Sequence, residues 1–367
     1  MRAKKHVLVA GASGLVGCAA MKHFAKAGDC EVTAVSRRKP AETFGANFIA
    51  ADLTDTKRCS EIFGALSGVT HLVYAALYEK PGLMQGWVED DQIAINDLML
   101  RNLFEPLEKS NPDLHHVSLL QGTKAYGAHV RALSVPARED RDELRTQKNF
   151  YWQQESYIKE KSADRSWSWT IFRPQIIFGM SLGSAMNLIP AIGVYGALLK
   201  EQGKPLSFPG GTGAVLEAVD SDLLARAIGW AGEADAARNQ AFNVTNGDIF
   251  VWQNVWPAIA DALGMEAGPA LPQSLGVAMP ARAADWDRLR AKHNLVSPGL
   301  DAFIGESFHY ADFCMAYGVE RSVPPAIVST VKIRRSGFHD VIDTEDMFRK
   351  SFREFQDARL LPPRGRS

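Results

Sequence analysis

At 367 residues the chain can hold one large domain, or one domain with an appended lobe; 46% hydrophobic and 23% charged residues are ordinary globular values. A formal net charge of −1 supplies no general attraction to nucleic acid or anionic membrane, so neither is an expected partner. Cys18, Cys30, Cys59 and Cys314 lack metal-like or paired spacing, so no metal site or disulfide framework is expected, and reduced thiols in a cytoplasmic protein are.

The opening "MRAKKHVLVAGASG" places basic residues before an apolar run, but the run is short and ends in glycines, as a buried strand does. A helix is expected from Leu15 to Gly28, and "EVTAVSR" reads as a second strand. "ANFIAADL", "THLVYAAL" and "HHVSLLQG" follow as three more buried strands, and "WTIFRPQIIFG" as a sixth, with helical segments between. This alternation predicts a Rossmann-like, doubly wound parallel sheet covered by helices on both faces.

From Gly179 the rhythm lapses and Gly, Pro and Met become frequent. "KPLSFPGG" reads as a strand and turn, "AVDSDLLARAIGWA" as a helix capped by Asp220 or Ser221, and "AFNVTNGD" as a strand. The expected division is a dinucleotide-binding domain of residues 1–178 with returning segments at about 206–246. A substrate lobe of residues 179–205 and 247–367 would pack over the carboxyl ends of the strands. No run of about 18 apolar residues exists, so no membrane span is expected.

Gly11, Gly14 and Gly17 form G-x-x-G-x-x-G between the first strand and first helix, with Ser13, Leu15 and Val16 on the same turn. Glycines there let the backbone turn tightly and a pyrophosphate approach the helix N-terminus. The second strand ends in Ser36-Arg37-Arg38, without the acid that would bond a ribose 2′-hydroxyl. Guanidinium forks bind a 2′-phosphate bidentately, so NADPH/NADP+ is the expected cofactor. Asp52-Leu53 would meet the adenine, and the small Ala75-Ala76 would let the cofactor pass close. Gln121, Pro174 and Ile177, near the ends of the fifth and sixth strands, complete the expected cofactor contacts, together with Lys124 and Tyr151.

Two tyrosines compete for the chemistry. Tyr157 stands four residues before Lys161, the Tyr-x-x-x-Lys spacing common in nucleotide-dependent reductases, whereas Tyr151 is followed at that distance by Glu155. From Tyr157 to Arg173 is 16 residues and from Tyr151 it is 22, so only Tyr151 leaves an ordinary crossover helix before the sixth strand. With Asn149 as N-cap, Tyr151 falls at the helix start, beside the carboxyl ends of the strands. Lys124, at the tip of the fifth strand, could then hold the ribose and lower the phenol's pKa from near 10.

"QGTKAYG", "NFYW" and "FRPQIIFG" on this scaffold resemble the progesterone 5β-reductase/iridoid synthase-like enone reductases of the short-chain dehydrogenase/reductase superfamily. The resemblance extends to the closing "VKIRRSGFHDVIDTEDMFRKSFREFQDARLLP". In that family the lysine and tyrosine are split between the first two motifs, which implies Lys124 and Tyr151 as the catalytic pair. It implies hydride transfer from NADPH to the β-carbon of an α,β-unsaturated carbonyl, with Tyr151 and Lys124 stabilising the enolate. Trp152, Glu155-Ser156, Leu77-Tyr78 and Gln175-Ile176 depart from the plant members' pattern, which leaves the substrate open. A small apolar carbonyl compound is expected in a pocket drawn from Leu77, Tyr78, Met186, Asn187, Phe308 and Tyr310, and a homodimer is left open. Two other readings stand beside this one. The first is an extended short-chain carbonyl reductase or NAD-dependent epimerase/dehydratase using Tyr157 and Lys161. The second is a non-catalytic, NADP-sensing regulator.

Overall fold

Strands buried on both faces have no polar face to alternate with, so the apolar runs of the first half are nearly continuous. In the computed structural model, which describes residues 4–83, 86–321 and 323–365, they form β1 (Lys5–Ala10), β2 (Cys30–Ser36), β3 (Asn47–Ala50), β4 (His71–Tyr74), β5 (His116–Leu120) and β6 (Ser168–Pro174). Two short strands follow, β7 (Ile176–Phe178) and β8 (Ala218–Asp220), and then β9 (Gln240–Val244). One seven-stranded parallel sheet runs in the order β3-β2-β1-β4-β5-β6-β9. The order reverses between β1 and β4, and a ligand crevice is expected outside the carboxyl ends at such a point.

Helices α1 (Leu15–Ala27), α2 (Thr56–Ala65), α3 (Asp90–Ser110), α4 (Phe150–Ser162), α5 (Leu188–Glu201), α6 (Ser221–Ala231) and α7 (Trp252–Ala262) cover the strands and build the lobe. On one face of the sheet Phe63, Leu103, Phe104 and Ile158 of α2, α3 and α4 form the core. On the other, Met21 and Phe24 of α1 pack with Leu223, Leu224 and Ile228 of α6. A third core gathers Ile192, Trp252, Trp286, Phe303 and Phe348, and it also takes in Leu206, Phe208 and Ala218 from the segment expected to belong to the dinucleotide-binding domain. Asp220 caps α6 by accepting the amides of Asp222 and Leu223, and it also meets Lys350 at 2.7 Å, which ties the closing helix Thr344–Asp357 to β8 and α6.

Three segments depart from the sequence-based expectation. "ANFIAADL" gives the edge strand β3, which is half-exposed and not buried. "WTIFRPQIIFG" is not one strand: β6 stays in the main sheet, while β7 leaves it to pair with β8. Pro174 has no N–H to extend the ladder, and the break falls just after it. "KPLSFPGG" makes only the single bridge Leu206 to Ala267, since Pro205 and Pro209 both remove donors. Among the described residues, no helix is long and apolar enough to cross a membrane.

The amino ends of β4 and β5 bury two histidines, His71 and His116, beside the exposed His115. The rings of His71 and His115 stack at 5.5 Å, and His116 Nδ1 lies 3.0 Å from Ser168 Oγ. Burial, aided by Lys5, pushes His71 down to about 4, and burial with its neighbouring histidines pushes His116 down to about 3. The unfolded chain therefore binds protons from about pH 6.5 downward that the fold refuses. Their contribution is intact above pH 6.5 and is lost as pH falls towards 4 and then 3. Denaturation melts should show stability declining over that window by up to about 1.4 kcal/mol per pH unit for each histidine. His71→Gln/His116→Gln should flatten the decline; an unchanged slope would remove these residues as its cause.

Candidate active site

The β1–α1 turn is shaped by close approach. Gly11 has φ +83°, and a Cβ there would stand 2.6 Å from the Ala75 carbonyl carbon. A Cβ on Gly17 would stand 2.1 Å from the Gly11 carbonyl oxygen, so the first turn of α1 is pressed against the strand end. The N-cap is Gly14, which offers no capping side chain, and the first amides of α1 have only a ligand or solvent to satisfy them. An uncapped N-terminus beside a glycine turn suits an anion, which is the fit a dinucleotide pyrophosphate requires.

That turn forms one end of a cavity of about 1210 Å³. Gly11, Ser13, Gly14, Leu15 and Val16 line it, with Ser36, Arg37 and Arg38 from the tip of β2, while Gly17 lies beneath as packing. Both arginines are exposed, and neither forms a salt bridge among the described residues. Asp52 and Leu53 follow β3; the Asp52 carboxylate accepts from the Thr54 amide at 3.0 Å and hydroxyl at 2.8 Å, which hold it below the usual carboxylate range. Ala75, Ala76, Gln121, Pro174 and Ile177 continue the wall.

At the far end stand Tyr151 and Lys124. Asn149 caps α4 by accepting the Tyr151 amide at 3.1 Å, which fixes the tyrosine in the first turn. Gly122 leaves space for the phenol: a Cβ there would lie 3.2 Å from the Tyr151 hydroxyl oxygen. Lys124, on a short 3₁₀ turn after β5, brings Nζ to 5.8 Å from the Tyr151 ring centre. The expected lowering of the phenol's pKa is not what this geometry produces. Burial, reinforced by the charge of Glu79, pushes Tyr151 up, with only Arg173 opposing. The phenol keeps its proton and stays a donor. Lys124 is itself pushed down by burial, against the pull of Glu79.

A buried ion network supports this end. Arg173 of β6 is fully buried; its Nε donates to Gln121 Oε1 at 2.8 Å, and its Nη2 meets Glu143 at 2.5 Å and Glu155 at 3.4 Å. Gln121 in turn donates to Glu155 at 2.9 Å. Burial alone would raise the Glu155 carboxyl, but Lys159, Arg145 and Gln121 outweigh it and bring it down to about 2. Glu155 is thus a structural anion one turn along from Tyr151.

Tyr157 and Lys161 do come together, with Nζ 5.6 Å from the ring centre, but on the α3 side of the helix. The Tyr157 hydroxyl donates to Glu105 at 3.3 Å, Arg101 lies 4.2 Å over its ring, and neither Tyr157 nor Lys161 lines the cavity. Of the proposed substrate contacts, Leu77, Tyr78, Met186 and Tyr310 line the cavity. Asn187 does not: it is fully buried, accepts the Ile189 amide as N-cap of α5 and donates to Gly179. Phe308 packs in the lobe core, two residues before Tyr310 and so on nearly the opposite side of the helix. The lining also includes Glu79, Trp87, Gly122, His129 and Phe313, which sequence reasoning missed. Of these, the lone acid after an apolar strand in "VYAALYE" was the most visible signal.

Residues 62–362 match the family model for a PRISE-like Rossmann-fold domain. The chain is 30% identical to the (S)-8-oxocitronellyl enol synthase of Antirrhinum majus over 97% of this chain and 92% of that one. It is 30% identical to the 3-oxo-Δ4,5-steroid 5β-reductase of Arabidopsis thaliana over 80% of this chain and 79% of that one. Among solved structures, the UDP-glucose 4-epimerase of Thermotoga maritima with UDP-glucose superposes with a TM-score of 0.66 at 16% identity, covering 96% of this chain and 99% of that one, a likeness of fold.

Adding a methyl group to Gly17 tests the packing of the turn. Gly17→Ala should gain a little helix propensity yet lose about 1–3 kcal/mol net, because the clash is with backbone that cannot swing aside. Gly14→Ala, whose Cβ would stand 3.3 Å from the nearest atom, should cost less. Thermal melts compare the two; equal stability would mean the turn relaxes freely.

Proposed function

This chain belongs to the PRISE-like Rossmann-fold family, and on that premise we propose that it is an NADPH-dependent oxidoreductase reducing the C=C bond of activated α,β-unsaturated carbonyls. The observation that carries the reading is one cavity with an uncapped, glycine-lined helix N-terminus at one end and Tyr151 with Lys124 at the other. When bound, the nicotinamide supplies the hydride.

Gly11, Ser13, Gly14, Leu15 and Val16 would hold the pyrophosphate, and Ser36, Arg37 and Arg38 the 2′-phosphate. Asp52 and Leu53 would border the adenine, with Ala75, Ala76, Gln121, Pro174 and Ile177 along the remaining wall. Arg37 and Arg38 support NADPH over NADH because two exposed guanidinium groups at the cavity edge, without a salt-bridge partner among the described residues, can fork onto a phosphate. The relatives named as an enol synthase and a steroid 5β-reductase support a small carbonyl substrate.

Reduction at the β-carbon moves electron density onto the substrate's carbonyl oxygen. Tyr151, its proton held by burial, would donate a hydrogen bond to that oxygen, and the Lys124 ammonium would favour the same negative charge. Leu77, Trp87, Met186 and Tyr310 would exclude water, which strengthens both interactions. The Tyr157/Lys161 reading finds no such support, because both residues lie outside the cavity.

A panel of enones, enals and saturated ketones with NADPH tests the reaction type. Saturated carbonyl products and little turnover of the ketones are expected; allylic alcohols as main products would transfer the assignment to carbonyl reduction. Tyr151→Phe should slow turnover by about two orders of magnitude with little change in NADPH affinity, while Tyr157→Phe stays near wild type. The reverse pattern would relocate the site. NADPH should be preferred over NADH by at least about tenfold in kcat/KM, and Arg37→Ala/Arg38→Ala should erode that ratio. An unchanged ratio would discard the arginines as its source.

A further inference from the structure

Glu79 is a carboxylate sealed into the cavity wall, its side chain 8% exposed. Its Oε2 accepts from Gln92 Nε2 at 2.8 Å and from Trp87 Nε1 at 3.2 Å. Gln92 is itself buried on α3, and its Oε1 accepts the Lys80 amide at 3.1 Å, so the amide cannot turn away from Glu79. The other oxygen, Oε1, has no hydrogen-bond partner among the described residues and lies 3.9 Å from Lys124 Nζ. That ammonium rests 4.2 Å from the centre of the Trp87 ring. One carboxylate therefore orients the indole through its N–H and faces the cation that the indole carries.

An ammonium taken out of water is destabilised unless an anion compensates it. The other titratable groups facing this pair do not supply one. Tyr151 from α4 and Tyr310 from the helix Ser307–Cys314 are phenols that burial keeps protonated. His129 is pushed down to about 4 by burial and by Lys124 itself, so it is neutral near pH 7. Burial raises the Glu79 carboxyl as well, while Lys124, Gln92 and Trp87 pull it back, and Glu79 is the one carboxylate among these groups to oppose the desolvation of Lys124.

We propose that Glu79 is a positioning residue that keeps Lys124 charged and holds its ammonium on Trp87 beside Tyr151. This rests on the reading of Lys124 and Tyr151 as the reacting pair. It adds that the charge available to the developing enolate persists to higher pH than a buried lysine alone would allow. Loss of the carboxylate should therefore cut turnover most steeply on the alkaline side, where the uncompensated lysine gives up its proton.

Two readouts are taken across pH on the wild type, Glu79→Gln, Glu79→Asp and Lys124→Met. One is kcat/KM with NADPH and an enone. The other, independent of activity, is labelling of Lys124 by trace acetic anhydride, quantified by peptide mass spectrometry and reporting the free amine. In Glu79→Gln both the alkaline limb and the Lys124 labelling curve should move down by about one pH unit, with Glu79→Asp between. Superimposable labelling curves for wild type and Glu79→Gln would overturn the proposal; if Glu79→Gln does not fold, the Glu79→Asp curve decides in its place. Full turnover by Lys124→Met would instead defeat the reacting-pair reading, and the labelling curves would still judge the contact between Glu79 and Lys124.

Discussion

A guanidinium buried without solvent has to be surrounded by partners, and Arg173 sets the geometry of the cavity's closed end by that requirement. Its neighbours come from three places in the chain: Gln121 after β5, Glu143 in the loop before α4, and Glu155 on α4 itself. Removing one partner from such a network leaves a buried charge uncompensated, at a cost on the order of 3–5 kcal/mol. The loop, the strand end and the helix are therefore fixed relative to one another. Tyr151 lies one turn from Glu155 and Lys124 lies three residues from Gln121, so both proposed reacting groups inherit their positions from this network.

The two ends of the cavity are built on opposite principles. At the glycine end, side chains are removed so that backbone and helix dipole can face an anion. At the tyrosine end, polar groups are crowded into a dry wall where each one's protonation is set by its neighbours. Burial keeps Tyr151 and Tyr310 protonated, His129 is neutral, and Lys124 is opposed by Glu79. Such an arrangement suits a reaction in which charge appears on a substrate oxygen and must be met without solvent.

Much of this was legible in the residues, for identifiable reasons. The parallel sheet follows from continuous apolar runs, and the placement of Tyr151 from a cap and a count of residues to the next strand. Asn149 does cap α4. What was hidden depends on phase and on distance in sequence. The aromatic helix Ser307–Cys314 offered Phe308 and Tyr310 alike, and only packing shows that the first faces the lobe core and the second the cavity. Asn187 is polar at the edge of an apolar segment, which fits a pocket or a cap equally well until its backbone partners are seen. Glu79 and Trp87 lie on the connection from β4 to α3 and His129 lies after β5, with no periodicity to connect them. The lowered phenol expected from Lys124 failed for a related reason, since the ammonium is turned towards Glu79 and Trp87.

The central claim, that this cavity delivers reduction to a carbon–carbon double bond, is tested most directly by isotope position. An enone is reduced with NADPH carrying deuterium at the transferable C4 position, and the product is examined by NMR. Deuterium is expected at the β-carbon of a saturated ketone. Deuterium on a carbinol carbon, with the double bond intact, would contradict that claim.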